Sequence, residues 1–296
     1  MMVGNKGEEV WDWLSKRVGM ETETGGVLLL QDTRLSQAEL EKQYNQWWRE
    51  RGGVDYERTV APVKWALAPS PEVQIEAGSQ KGLKPMGGTL VLVWGDVARH
   101  AGGGRTMTKD RYGRWAALEV QGAEDNVTVY VSAYRPPGGD GNTKGAGGLV
   151  ARMAKLRGWK GTKVGTRAHQ VFYKELGEQI TKWREEGKEV VIGGDFNEEE
   201  PDIRQWGAAH DLVMCHEELL KERRDRVTGR TEYTYVNNGR GGDRRLDHIL
   251  VTERIWSEAI KEGGWMKTEA VAGHVADHLA VTLGGINYTE WLGGRA

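Results

Sequence analysis

The 296-residue sequence has one cysteine, Cys215, seven prolines and two phenylalanines. A single thiol excludes an internal disulfide framework and any zinc site built on several thiolates. That suits a reducing compartment. Long apolar runs are also missing: Leu90 to Trp94 is among the longest, far short of the ~20 residues that span a bilayer. No charged start followed by an apolar run opens the chain, so no signal peptide is expected. Charge of one sign is absent too, because 41 Lys+Arg against 43 Asp+Glu leave a net charge of -2. Taken whole, that balance lacks the basic footprint usual for a phosphate-binding partner. The sequence contains no G-x-x-x-x-G-K-S/T loop, no G-x-G-x-x-G after a strand, no H-E-x-x-H and no G-x-S-x-G. Phosphate-loop, dinucleotide-binding, zinc-protease and serine-hydrolase chemistries are thereby without their signatures.

What is present describes a soluble globular chain: 38% hydrophobic and 28% charged residues. Glycine (42) and tryptophan (13) are over-used, the tryptophans suiting either core packing or a use for flat rings. No repeat, heptad run or long linker divides residues 1–296, so one domain is expected. Helical spacing of Val10, Trp11 and Leu14 predicts a helix over residues 8–17. Val27 to Leu30 reads as a strand buried on both faces. Ser36, with Glu39 three residues later, forms a capping-box pattern that opens a second helix. Strands are expected at Thr89–Trp94, Trp115–Val120 and Val127–Tyr134. The turn-rich segment Pro136 to Asn142 follows. A helix at His169–Glu186 then leads into the strand Glu189–Ile192. Further strands are expected near Thr234–Val236, Leu246–Thr252 and His278–Leu283. The interleaving indicates an α/β or α+β class.

Four short segments carry residue types suited to acid-base or phosphate chemistry. Gly193-Gly194-Asp195-Phe196-Asn197 follows an apolar strand, where polar side chains meet an open rim. If the segment stays extended, Asp195 and Asn197 share one face, placing a carboxylate beside an amide. An ordinary turn is the competing reading. In Arg245-Leu246-Asp247-His248-Ile249-Leu250, alternation separates Asp247 and Ile249 from His248 and Leu250. A buried acid there needs a partner, for which Arg244 or Arg245 would serve. Ala276-Asp277-His278-Leu279 pairs an acid with an imidazole, suited to metal contact and proton transfer or to a simple cap. Gln31-Asp32-Thr33-Arg34 ends the first apolar strand with a carboxylate that suits a hard cation or starts a turn.

In chain order, Q-D-T-R, S-A-Y-R-P, G-G-D-F-N, R-L-D-H-I-L and A-D-H-L resemble the endonuclease/exonuclease/phosphatase superfamily. That superfamily includes DNase I-like nucleases, apurinic endonucleases and the endonuclease domains of non-LTR retrotransposons. The resemblance runs from about Asn5 to Leu283. It implies a four-layer sandwich of two mostly antiparallel β-sheets flanked by helices, with the active site at one rim. It implies Asp32, Asn5 and Asp277 as metal residues for Mg²⁺, with Mn²⁺ as the substitute. Tyr134 would contact the scissile phosphate, and Asp195 and Asn197 would position the nucleophilic water and the phosphate. His278 would sit at the phosphate, oriented by Asp247. Position 32 departs from the family, which normally places glutamate there, and Ala276 replaces a frequent serine.

Local charge then corrects the whole-chain balance. Residues 151–169 carry Arg152, Lys155, Arg157, Lys160, Lys163 and Arg167 and no acid, and residues 99–114 and 221–245 are also net basic. These segments suit a phosphate track, and Tyr112 and Trp159 within them suit base stacking. Arg34, Arg135, Thr234, Lys160, Arg167 and Arg245 are the expected nucleic-acid contacts. The reading is a Mg²⁺-dependent DNA endonuclease that nicks one strand, retrotransposon-like, with DNA as partner and no membrane or disulfide-linked partner. It places the chain inside the cell, in the nucleus if retroelement-derived, and as part of a larger polyprotein in that case. The alternatives are an apurinic repair endonuclease or exonuclease, a non-catalytic nucleic-acid-binding module, and an inositol- or lipid-phosphate phosphoesterase.

Overall fold

A computed structural model describes residues 25–33, 36–50, 63–69, 72–77, 80–85, 87–102, 107–122, 125–137, 147–160, 163–216, 219, 234, 244–260, 265–269 and 280–284. The expected helix at residues 8–17 lies outside these. Strand β1 (Gly26–Gln31) leads to helix α1 (Gln37–Glu50), then β2 (Val63–Ala68), β3 (Glu72–Ala77), β4 (Gln80–Pro85) and β5 (Thr89–Trp94). Helix α2 (Gly95–His100), β6 (Met107–Lys109), β7 (Trp115–Gln121) and β8 (Val127–Tyr134) follow. Helices α3 (Gly147–Arg157) and α4 (Val164–Glu185) precede β9 (Glu189–Asp195), α5 (Glu200–Ala208), β10 (Leu212–Met214) and β11 (Asp247–Thr252). Strands β12 (Trp265–Glu269) and β13 (Ala280–Gly284) pair with each other.

Two sheets face one another, of three strands in the order β1-β5-β2 and six in the order β10-β11-β9-β8-β7-β6. Pairing is antiparallel except for β8 with β9. Alternate residues of both sheets fill the space between them: Val91 and Val93 from β5, Leu118 and Val120 from β7, Val191 from β9 and Val251 from β11. The opposite face of the larger sheet offers Val129, Val131, Val190, Ile192 and Leu250 to Phe172, Leu176, Ile180 and Trp183 of α4 and Ile203 of α5. Trp183 meets Trp115 edge-on at 6.2 Å, and Trp94 and Trp256 are also buried. These tryptophans are core residues. Val27 to Leu29 are half-buried in β1, not enclosed on both faces as expected.

Local chemistry sets several element ends. The capping box forms: Glu39 N–H donates to Ser36 Oγ (3.2 Å), and Ser36 N–H donates to Glu39 Oε2 (2.8 Å). Helix α4 begins at Val164, five residues before its expected start. Strand β9 runs on through both glycines to Asp195, further than its apolar residues indicate. Gly194 permits this extension, because a Cβ there would lie 2.3 Å from the main-chain oxygen of Ala133 on β8.

Two histidines are enclosed beside β10 and β11. His216 and His248 are each 1% exposed. Burial, reinforced by the nearby Arg245 and His248, pulls His216 down from 6.5 to about 3. Burial likewise pulls His248 down to about 4. Both are therefore neutral when folded and become charged on unfolding at mildly acidic pH.

Two consequences can be measured. Between pH 6.5 and about 4 the unfolded chain binds protons that the folded chain does not, so stability falls as pH falls through that window. Urea unfolding of His216→Gln against wild type should show the pH slope reduced by about 1 kcal/mol per pH unit there. Gly194→Ala forces β8 and β9 apart against a rigid carbonyl, and thermal unfolding should show a loss of about 1–3 kcal/mol.

Candidate active site

The C-terminal ends of β1, β8 and β9 and the N-terminal end of β11 meet at one rim. Tyr134, the last residue of β8, is the register partner of Asp195, the last residue of β9. Asp195 is in turn the partner of Asp247, the first residue of β11. With strands ~4.8 Å apart, the three side chains form a row spanning roughly 10 Å. Their face is fixed by alternation: Tyr130, Val191, Ile249 and Val251, at even spacing from them, belong to the core between the sheets. Tyr134 and Asp195 are each 8% exposed, and Asp247 is half-buried.

Asp32 reaches the same rim from the other sheet. Its Oδ1 accepts the main-chain N–H of Gly87 at 2.9 Å. A Cβ on Gly87 would stand 3.8 Å from the Tyr134 ring. Asp32 holds a left-handed φ of 48°, and Thr33 N–H donates to Gly88 O (3.1 Å). Gln31 stitches the sheets beside it, its Nε2 donating to Ser132 Oγ (3.0 Å) and Gly193 O (3.3 Å). Ser132 Oγ donates onward to Leu30 O at 2.7 Å. Gln31 and Ser132 open the Q-D-T-R and S-A-Y-R-P motifs, but their sequence context gives neither a role. Each does lie an even number of residues from an inward-facing neighbour, Leu29 and Tyr134, which is the signal that finds them.

Asn197 departs from the expected extended geometry. Its φ is 50°, and its N–H donates to Asp195 Oδ1 at 2.9 Å. The pair thus makes a side-chain-capped turn, as the turn reading expected. Left-handed backbone in a non-glycine residue carries strain that surrounding contacts must hold. Asn197 Nδ2 also donates to Arg135 O at 2.7 Å.

Three expected nucleic-acid contacts are instead interior. Arg135 is 4% exposed, and its guanidinium donates to the main-chain oxygens of Phe196 and Asn197. Thr234 is fully buried, its Oγ1 accepting the N–H groups of Leu246 (2.9 Å) and Asp247 (3.0 Å) at the start of β11. Arg245 is 7% exposed. Satisfying main-chain polar groups outweighs exposure at these positions. Lys160 and Arg167 are exposed, as a contact role needs. Arg114 and Arg157 both pair with Glu175, and Arg114 also with Asp110 (2.8 Å), so part of the basic segments' charge is neutralised internally. Tyr112 is 1% exposed, with Arg111 and Arg114 over its ring at 4.7 and 4.9 Å, and so does not stack bases. Trp159 packs beside Val164 against the cluster around Tyr112 and Leu149. Asn5, Arg34, Asp277 and His278 lie outside the described residues.

Residues 7–266 match the Endonuclease/Exonuclease/phosphatase family. The fold is similar to the 3'-5' exonuclease NExo from Neisseria meningitidis, at 16% identity and TM-score 0.52, covering 96% of each chain. It is similar to a variant of the 3' phosphatase NExo from Neisseria bound to a product DNA hairpin, at 16% identity and TM-score 0.51, covering 96% of this chain and 95% of that one. The endonuclease domain of TRAS1, a telomere-specific non-LTR retrotransposon, aligns at 10% identity over 88% of this chain and 98% of that domain. Its TM-score of 0.36 gives no weight to that branch. No curated protein matches the sequence. The chain belongs to the endonuclease/exonuclease/phosphatase family, and its two facing sheets with flanking helices are that family's sandwich.

Proposed function

We propose that this chain is a metal-dependent phosphodiesterase that cleaves DNA, nicking one strand of a duplex. The observation that carries the reading is the row Tyr134, Asp195 and Asp247 across three adjacent strands, with Asn197 fixed at its end. Two carboxylates in direct register repel unless positive charge or a proton stands between them. His278 oriented by Asp247, and a cation on the Asp32 side, would supply that charge. Asp195 would hold the attacking water and draw off its proton. Tyr134 would donate its phenolic hydrogen to a phosphate oxygen. Asn197 keeps a second Nδ2 hydrogen for the same task after bonding Arg135 O.

The donor set is chemically apt for a hard cation, because Asp32, Asn5 and Asp277 offer oxygen only. Among the described residues no group of three or more His, Cys, Asp or Glu side chains converges on one point, and in this reading Asn5 and Asp277 would join Asp32. When bound, Mg²⁺ or Mn²⁺ would neutralise charge on the phosphate and the departing oxygen. Exposed Lys155, Lys160, Lys163 and Arg167 on and between α3 and α4 would engage the phosphate backbone.

DNA is favoured because a 3' phosphatase of this fold is bound to a product DNA hairpin. The two NExo structures also favour a second reading, removal of nucleotides or phosphate from 3' ends. No helix of the described residues is long and apolar enough to cross a membrane.

Supercoiled plasmid with Mg²⁺ should be converted to the nicked circle, and EDTA should abolish the conversion. Asp195→Ala and His278→Ala should each lower the rate by about 100-fold or more. Absence of EDTA-sensitive hydrolysis on plasmid, abasic duplex and recessed or phosphorylated 3' ends would exclude the enzyme reading. Preference for the 3'-end substrates would select the second. Asp32→Glu, which restores the longer arm, should lower the Mg²⁺ concentration needed for half-maximal rate; an unchanged requirement argues against a ligand role at position 32.

A further inference from the structure

The turn that carries Asn197 is gripped from behind by side chains that never reach the rim. Three consecutive main-chain oxygens, of Phe196, Asn197 and Glu198, all accept from buried groups. Arg135 Nε donates to Phe196 O and Arg135 Nη2 to Asn197 O. His248 Nε2 lies 2.9 Å from Glu198 O. A carbonyl only accepts, so the His248 proton sits on Nε2 and Nδ1 is left as the acceptor. Arg135 is itself held: its Nη1 lies 2.7 Å from His169 Nδ1 on α4. Arginine only donates, so His169 accepts at Nδ1 and carries its proton on Nε2. The Glu198 carboxylate completes the grip, standing 3.6 Å from Arg135 Nε and accepting the Tyr173 hydroxyl. Burial and that carboxylate push the Tyr173 phenol well above its ordinary value of 10, so it remains a donor.

We propose that Arg135 and His248 are positioning residues that hold Asn197 in its left-handed conformation, with Asn197 as the group that touches substrate. The inference rests on the phosphodiesterase reading of the rim. Asparagine tolerates left-handed backbone better than most residues, but the conformation still competes with extended ones, and bonds to the flanking oxygens hold it at φ 50°. A planar guanidinium bonds two neighbouring oxygens in one fixed geometry, which an ammonium on a flexible stem does not enforce. His248 performs the matching task from β11, the strand that also begins with Asp247. The clasp thereby joins β8, β9, β11 and α4 behind one asparagine. Arg135 also acts through its own main chain, its N–H donating to Asp195 O (2.9 Å) and its oxygen fixing the Asn197 amide.

The test is a double-mutant cycle on DNA hydrolysis with amide exchange as a second readout. Arg135→Lys keeps the charge and loses the fork, and should lower kcat about 10- to 100-fold with little change in KM. On the Asn197→Ala background the same change should cost less than about 2-fold, because its effect passes through Asn197. His248→Gln, which retains a donor, should keep most of the activity that His248→Phe loses. Multiplicative losses in the double variant, or wild-type kcat in Arg135→Lys, would overturn the proposal. In Arg135→Lys the amides of Phe196, Asn197 and Glu198 should exchange at least about 10-fold faster, with those of β8 and β9 unchanged. Unchanged exchange at those three overturns the clasp whether or not the protein hydrolyses DNA. Accelerated exchange in a protein without activity retains the clasp and removes the phosphodiesterase reading instead.

Discussion

The parallel pairing of β8 with β9 is the constraint on which the rest of the rim depends. Every other pair within the two facing sheets is antiparallel, so neighbouring strands point opposite ways and their ends alternate. Parallel pairing lets two strands run out together, placing Tyr134 and Asp195 side by side at their last positions. The antiparallel β11 then enters from the rim, so that its first residue, Asp247, faces Asp195. The close approach of β9 to β8 requires a residue without a side chain at position 194, where a Cβ would collide with a main-chain oxygen. The glycine beside it lets Leu29 of the other sheet press down onto β9. Helix α4, crossing between β8 and β9, is what makes their parallel arrangement reachable.

Polar satisfaction explains why this rim is built from buried groups. A turn leaving a sheet has main-chain oxygens with no ladder partner, and burial without a partner is costly. Arg135 and His248 supply donors to three of them, and Thr234 does the converse for two amides at the start of β11. Arginine and threonine, read as surface contacts in a chain with a basic patch, thus act as internal struts. Lys155, Lys160, Lys163 and Arg167, on and between α3 and α4, remain exposed.

Much of the fold and the candidate site is legible in the sequence because periodicity and motif chemistry are local. The β-branched and aromatic runs at Val127–Tyr134 and Thr89–Trp94 mark strands that form with those bounds. The Ser36–Glu39 box caps its helix as its spacing implies. Asp195, Asn197, Asp247 and Asp32 stand out in short motifs and come together at one rim. Less legible are β2, β3, β4 and β6, which no long apolar run or motif marks; β2 moreover pairs with β5 across the intervening β3–β4 hairpin. The geometry of Asn197 is also hidden, since spacing by two implies a shared face only if the chain stays extended.

By itself the sequence determined which residue types stand at strand ends, where helices cap, and that acids, an amide and a tyrosine recur in a phosphodiesterase order. These are properties of neighbours along the chain, set by backbone sterics and side-chain period. Tertiary structure alone decided which groups stand at the rim and which are used up inside. The register of β8, β9 and β11 made Tyr134, Asp195 and Asp247 one row. Burial turned Arg135, Thr234 and Arg245 inward. Both depend on partners more than ten residues away, and a hydrogen bond to such a partner leaves no trace in local spacing.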